Sequence, residues 1–428
     1  MRSWKRMLKD LTVRTKSRKI RQAPWTQTDA DGEKPLSASR VRAVLGKSSD
    51  IVFRDFIIRG VEDIPCSLAV VDGLVDKSIL DEFVLKVLMF DLTRQPELIR
   101  KLTTASAPKI IMERLAPANE MRQISKLGDA LDAILSGDAV LFFGESATAL
   151  VIGVRAWPNR GVNEPETESA IRDPREGFTE TLRINTTMLR RKIKNPSLHL
   201  ISLKVGTITR TDIVVVYIEN LAQQDVVDEV MRRLQKIEID GVLESGYLEE
   251  MIEDSPYTPF PQVHFTERPD VVAADLLEGK VAIIVDGTPI VLVVPAVLTR
   301  FLQASEDYYE RAMIVILVRF IRYLGTVVAL LSPSIYIATT TFHQEILPTS
   351  LALNVAMGRE GVPFPALLEA LFMILALEIL QEAGIRLPRA SGQAIGIVGA
   401  LVVGDAAVKG GLASPIMVVV IGLTAISS

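Results

Sequence analysis

Four carboxylates stand where a chain would rarely put them. Glu369, Glu378 and Asp405 lie in a stretch from Pro363 to Ser428 that otherwise reads as closely spaced apolar helices, and Glu382 follows Glu378 by four residues. A charge inside hydrocarbon is strongly disfavoured unless it is paired or faces water. The residue types therefore point to an ion path or to polar contacts between helices. At about 100° per residue, Glu369 and Glu378 face opposite sides of a helix and cannot line one pore wall together. Glu378 and Glu382 share a face, which is expected to be the water-filled side, with polar contact to a neighbouring helix as the alternative. Asp405 and Lys409 have the same i, i+4 spacing and are expected to neutralise each other.

Other chemistry is poorly represented. His199, His264 and His343 are scattered without ligand spacing, so no metal site is expected, and no cofactor. Gly144-Glu145-Ser146 resembles the start of a nucleophile elbow, but Thr148 stands where the last glycine belongs. With no convincing nucleophile and base, the chain is not expected to be an enzyme. No glycine-rich phosphate loop of convincing form is present. The single Cys66 excludes an internal disulfide and suits a cytoplasmic setting for the polar part. A net charge of −4 and a pI near 5.7 argue against nucleic acid as the main partner.

Charge also divides the chain. Most of it lies in the first 300 or so residues, whereas Tyr323–Gln344 and Gly410–Ser428 carry none and are each long enough to span a bilayer. The fold class expected is an α/β soluble amino-terminal region of two mixed α/β subdomains, followed by an all-α multi-pass transmembrane domain of about four apolar helices. The boundaries expected are a basic, disordered tail at 1–36, subdomains at 37–157 and 158–305, and the membrane domain at 306–428. Residues 1–21 hold nine Lys or Arg with Asp10 as the sole acid and lack a signal peptide's apolar core. Anionic lipid or nucleic acid are alternative partners for that tail, beside a purely solubilising role.

In the first subdomain Ser37 is expected to cap a short helix. Ile51–Ile58 and Cys66–Val75 read as strands, Leu80–Phe90 and Met121–Leu135 as helices, and Ala139–Phe143 with Ala149–Ala156 as a hairpin. Asn159–Glu176 reads as a linker or binding loop. The second should have helices at Thr181–Ile193 and Gln223–Ile237 and strands at Leu198–Val205 and Ile213–Ile218. The basic run Arg190–Lys194 reads as a solvated helix face, with phosphate or lipid contact as the alternative. Pro256–Pro261 should be an extended connector. Lys280–Val285 and Ile290–Val294 read as a hairpin across Asp286-Gly287, free to dock on the membrane part or a neighbouring subunit.

Arg311, Arg319 and Arg322 fall within about 80° on a helical wheel, opposite Ile316, Leu317, Phe320 and Leu324. This interfacial stripe would anchor the helix at an anionic cytoplasmic leaflet. Ser332-Pro333 is expected to kink the span that follows. His343, Glu345, Pro348, Arg359 and Glu360 would form a far-side loop. Phe364–Ala383 would then return inward to Arg386 and Arg389, in keeping with the positive-inside tendency. Gly392, Gly396 and Gly399 are expected to allow close helix packing.

Several long motifs carry a resemblance over nearly the whole chain. They are EPETESAIRDPREGFTE from Glu164, SPYTPFPQVHFTERPD from Ser255, EGKVAIIVDGTP from Glu278, EDYYER from Glu306, YIATTTFHQEILPTSLA from Tyr336, REGVPFPALLEA from Arg359 and EAGIRLPRASGQAIGIVGALVVGDAAV from Glu382. Together they resemble the A-subunit family of GerA-type spore germinant receptors. The resemblance implies a multi-pass subunit of the spore inner membrane, its amino-terminal region on the core side. It also implies B and C partner subunits, homo-oligomers and ion release triggered by nutrients. Gln381 replaces an expected basic residue and Asp405 an expected amide, which alters the charge pattern. The family also continues past this point, so the membrane domain is expected to be truncated at Ser428.

Two classes of function therefore compete. One is a receptor subunit whose membrane helices form an oligomeric cation channel. The other is a proton-coupled small-molecule transporter with substrate at a broken helix near Pro333, which inverted repeats would favour and the sequence does not display. A stage V sporulation paralogue involved in ion or dipicolinate release shares many of the motifs. The DGTP turn and HQEILPT run are closer to the nutrient-receptor branch.

Overall fold

The computed structural model describes residues 36–59, 61–91, 102–104, 106–114, 121–144, 146–156, 174–255, 257–258, 260–386 and 389–427. The expected tail at 1–36, apart from Leu36, and most of the expected linker Asn159–Glu176 lie outside these residues. The chain forms two compact units, Met1–Phe301 and Leu302–Ser428.

The first unit holds two five-stranded sheets. One comprises β1 (Ile51–Arg59), β2 (Asp63–Val71), β3 (Met121–Ile124), β4 (Ala139–Phe143) and β5 (Ala149–Ile152), ordered β1-β2-β4-β5-β3. The other comprises β6 (Leu198–Val205), β7 (Thr211–Ile218), β8 (His264–Thr266), β9 (Val281–Val285) and β10 (Val291–Val294), ordered β6-β7-β9-β10-β8. Counted from its own first strand, each sheet has the same order. The helices repeat as well. One face of the first sheet is covered by α1 (Ala38–Leu45) and α3 (Leu127–Leu135), the other by α2 (Ala107–Arg114) and the π-helical turns Leu80–Leu85 and Val87–Asp91. In the second sheet α4 (Leu182–Lys192) and α7 (Pro269–Leu277) take one face, and α5 (Gln224–Lys236) and α6 (Ser245–Ile252) the other.

The structure corrects several expectations. Among the described residues every strand pair is antiparallel, so neither sheet is mixed there. The reason is local: β1–β2, β4–β5, β6–β7 and β9–β10 are joined by short turns, which only antiparallel neighbours permit. Met121–Leu135 is not one helix, because Met121–Ile124 pairs with β5 as an edge strand before α3 begins at Leu127. The second strand runs from Asp63 to Val71 and so ends before Val75. β9 and β10 are not free to dock outward. Both are wholly buried, with β9 between β7 and β10 and β10 between β9 and β8.

Arg190 is not on a solvated face. It is fully buried and forms a bidentate pair with Asp50, Nε and one terminal nitrogen each donating at 2.9 Å. Its remaining nitrogen donates to the Leu198 carbonyl at 3.1 Å. Asp50 belongs to the turn before β1, and the same turn covers the outer edge of β6. Ser49 donates to the Leu200 carbonyl through its amide and its hydroxyl, each at 2.8 Å. An edge strand that would otherwise offer unpaired carbonyls is thus closed by the other subdomain.

The second unit is helical: α8 (Ala312–Thr341), α9 (Thr349–Arg359), α10 (Ala366–Arg386), α11 (Arg389–Lys409) and α12 (Pro415–Ser427). α8 packs on α12, and α10 on both α11 and α12. Tyr336, Ala366, Ala370, Met417 and Ile421 form a small core. Among the described residues one helix, the 30-residue α8, is long and apolar enough to cross a membrane. α8 starts at Ala312, ahead of the charge-free run, and continues through Pro333 without a break. The expected far-side loop contains α9.

Candidate functional site

Asp307 organises the start of α8. It lies in the turn Ser305–Tyr308 with its side chain 3% exposed, and it accepts from Arg319 Nε at 2.8 Å and from Arg322 at 3.1 Å. Arg322 also donates to the Leu302 carbonyl at 2.8 Å. Burial would raise the Asp307 pKa, but the two guanidinium hydrogen bonds outweigh it and hold the carboxyl below its usual range. The expected basic stripe is therefore divided. Arg319 and Arg322 are engaged by Asp307 because the preceding turn folds back against the helix, while Arg311, at the helix N-cap, is exposed.

Glu369 sits in the first turn of α10 and is fully buried. One carboxylate oxygen accepts from the Ser414 amide at 2.5 Å and from its hydroxyl at 2.6 Å. The other lies 3.7 Å from an Arg359 terminal nitrogen, at the end of α9. Ser414 immediately precedes α12, and its hydroxyl is 3.4 Å from that of Tyr336 in α8. One carboxylate thus joins the ends of α9, α10 and α12. The nearby Gly411 has φ +67°, and a Cβ there would stand 2.9 Å from the Gly361 carbonyl oxygen, so the crossing of the two linkers requires glycine.

Glu378 and Glu382 lie further along α10, both exposed on the surface of the unit. They do not join Glu369. Asp405 accepts from Lys409 at 2.8 Å, with both side chains exposed. Gly392 and Gly396 lie in α11, and their surroundings are outside the described residues. At Gly399 a Cβ would stand 2.9 Å from a Leu380 methyl, which marks close approach of α10 and α11.

The first unit holds a buried node that sequence reasoning missed. Asp275, 1% exposed, accepts from Lys280 at 2.6 Å and from Arg300 at 3.0 Å. His264 Nδ1 stands 3.6 Å from the same carboxylate. Burial, with Arg300 and Lys280 adding repulsion, depresses the His264 pKa to about 4. The only sequence signal was charge in an apolar segment, Asp275 between Ala274 and Leu276. Ser146 shares a hydrogen bond with Thr148 Oγ1 at 3.1 Å. Among the described residues no group of three or more His, Cys, Asp or Glu is placed to hold a metal ion.

The sequence profile of the family described as "Bacillus/Clostridium GerA spore germination protein" matches residues 39–428. The chain belongs to the GerA family. It is 43% identical over 384 residues to spore germination protein KA of Bacillus subtilis (strain 168), covering 90% of this chain and 69% of that one. It is 38% identical over 388 residues to spore germination protein GerLA of Bacillus cereus, covering 91% and 77%. An uncharacterized membrane protein of B. subtilis, YfkQ, is 44% identical over 382 residues, covering 89% and 72%. Among solved structures, the N-terminal domain of the A subunit of the Bacillus megaterium spore germinant receptor GerK3 is 35% identical, covers 62% of this chain and 96% of that chain, and gives a TM-score of 0.49. The resemblance read from the motifs is borne out, and this GerA protein keeps the family match across both units.

Proposed function

We propose that this GerA protein is the A subunit of a nutrient germinant receptor, a non-enzymatic multi-pass protein of the spore inner membrane with its first unit on the core side. In this reading it works with B and C subunits and forms, as a homo-oligomer, a cation path opened when nutrients arrive. The observation that carries it is the family match from residue 39 to 428, which includes the soluble and the helical unit together. Glu378 supports the oligomeric part. It is exposed on a mainly apolar helix, where lipid would impose a large desolvation penalty. Water or a neighbouring polar surface, as in a ring of subunits, removes it.

The test is potassium release from spores of the native host on a nutrient panel, comparing parent, deletion and Glu378→Gln strains. The expected result is loss of response to particular nutrients in the deletion strain. The Glu378→Gln strain should release potassium more slowly while its protein reaches the membrane at the parental level. Unchanged responses in the deletion strain would refute the receptor role. Normal flux in the Glu378→Gln strain alone would remove that residue from the path.

A further inference from the structure

The face of the second subdomain formed by α5 and α6 carries features that the germination role does not use. A groove of about 320 Å³ lies between α5 and the segment that follows α6, floored by Val226, Val230, Val263 and Val294 and rimmed by Asp225 and Glu253, with Arg233 also in its wall. The loop whose base lines this groove, Asp254 to Gln262, is held closed where Gln262 accepts from the Asp254 amide at 3.0 Å and donates to the Ser255 carbonyl at 2.8 Å. It presents Tyr257 at 97% and Phe260 at 66% exposure. Tyr247 and Met251, four residues apart, are exposed along α6, and Leu243 is exposed ahead of it. Exposed aromatic rings beside a groove are characteristic of binding anchors.

The electrostatics select the occupant. From Gln224 to Ser255 there are ten acidic residues and three basic ones. Two of the three bases are already committed, Arg232 to Glu229, and Arg233 to Glu229 and Asp254. Burial, and then the neighbouring Glu253 and Glu244, push the Glu249 carboxyl above its usual range. Such a face is repelled by an anionic leaflet and attracts a basic peptide.

This chain carries one. Residues 1–21 hold nine Lys or Arg against Asp10, and Trp4, Leu8 and Leu11 recur at four- and three-residue spacing. We infer that the basic amino-terminal segment docks in the groove beside α5, drawn there by its acidic rim and valine floor. The 14 residues from 22 to 35 can extend over roughly 46–50 Å, about the diameter of a compact domain this size. Tethering raises its local concentration to about the millimolar range, so modest affinity suffices.

The experiment uses the full chain in phosphatidylcholine nanodiscs with a photo-crosslinking Phe260→benzoylphenylalanine substitution, and locates the adducts by mass spectrometry. The expected adducts fall in residues 1–21. Their yield drops about fivefold or more in an Asp225→Lys, Glu253→Lys variant whose unfolding temperature is unchanged. Raising salt on the parent, which requires no further variant, lowers it in the same direction. Adducts elsewhere, or a yield indifferent to both charge reversal and salt, would overturn the proposal. Retained adducts in nanodiscs containing phosphatidylglycerol support the groove as the segment's site, and their disappearance there would overturn it in favour of lipid.

Discussion

The strongest single-residue dependence falls on Arg190. A guanidinium with no exposed surface relies on Asp50 for charge compensation, and removing one partner of a buried pair leaves the other unsolvated. Asp50→Ala is expected to lower the unfolding free energy of the purified protein by about 3–5 kcal/mol, whereas Asp50→Leu with Arg190→Met should recover most of that loss. Denaturant titration of the three proteins checks both statements. His264 should govern behaviour in acid. An unfolded histidine titrates near 6.5 and this one near 4, so between those values the unfolded chain binds the extra proton, and stability falls as pH drops from 6.5 to 4. The slope amounts to about 3 kcal/mol over that window and should be largely absent in His264→Leu, read from unfolding temperature against pH. Neither dependence was legible in the sequence. Asp50 and Arg190 are 140 positions apart, and a run of basic residues reads as a solvated face until the fold brings a carboxylate to it.

At the level of elements, the junction at Glu369 holds the helical unit together. Ser414→Ala removes the hydroxyl donor from a fully buried carboxylate and leaves the backbone amide, which is expected to destabilise the unit by about 1–3 kcal/mol. Thermal unfolding in detergent, with Ser414→Thr expected to retain part of the parent value, is the check. Most strands and helices were legible because their signals are local: alternation or apolar runs for strands, a turn at Asp286-Gly287, and Ser37 at the N-cap position of the first helix, where its side chain nonetheless makes no capping hydrogen bond. What failed was context. Met121–Ile124 has a helical residue composition but sits where the sheet needs a fifth strand. Strand direction was misread because alternating elements suggest crossovers, whereas the chain inserts its helices between hairpins. The carboxylates of α10 were found from their types alone. The division between a buried Glu369 and an exposed Glu378 and Glu382 was not, since helical phase says which residues differ in facing but not which side is covered.

Across the whole molecule, the soluble and helical parts anticipated from charge and hydropathy are two separate units, the first of which contains one topology twice. A sequence trace of that repeat exists: Leu135-Ser136-Gly137 and Leu277-Glu278-Gly279 each close a helix and precede a wholly buried strand, Ala139–Phe143 or Val281–Val285. Both glycines adopt left-handed backbone, at φ +93° and +91°. The duplication makes each half a built-in reference for the other. A matched pair such as Gly137→Ala and Gly279→Ala holds chain length, solvent and topology constant and varies only the surroundings. Both should destabilise by about 1 kcal/mol or more, because an L side chain disfavours that conformation. The second should be the more severe, since its new methyl would meet the Leu221 carbonyl oxygen at 2.5 Å where the first meets that of Leu74 at 3.1 Å. Measured side by side in denaturant, the difference between them isolates steric crowding from backbone preference, a separation that a protein built on a single copy of the fold does not offer.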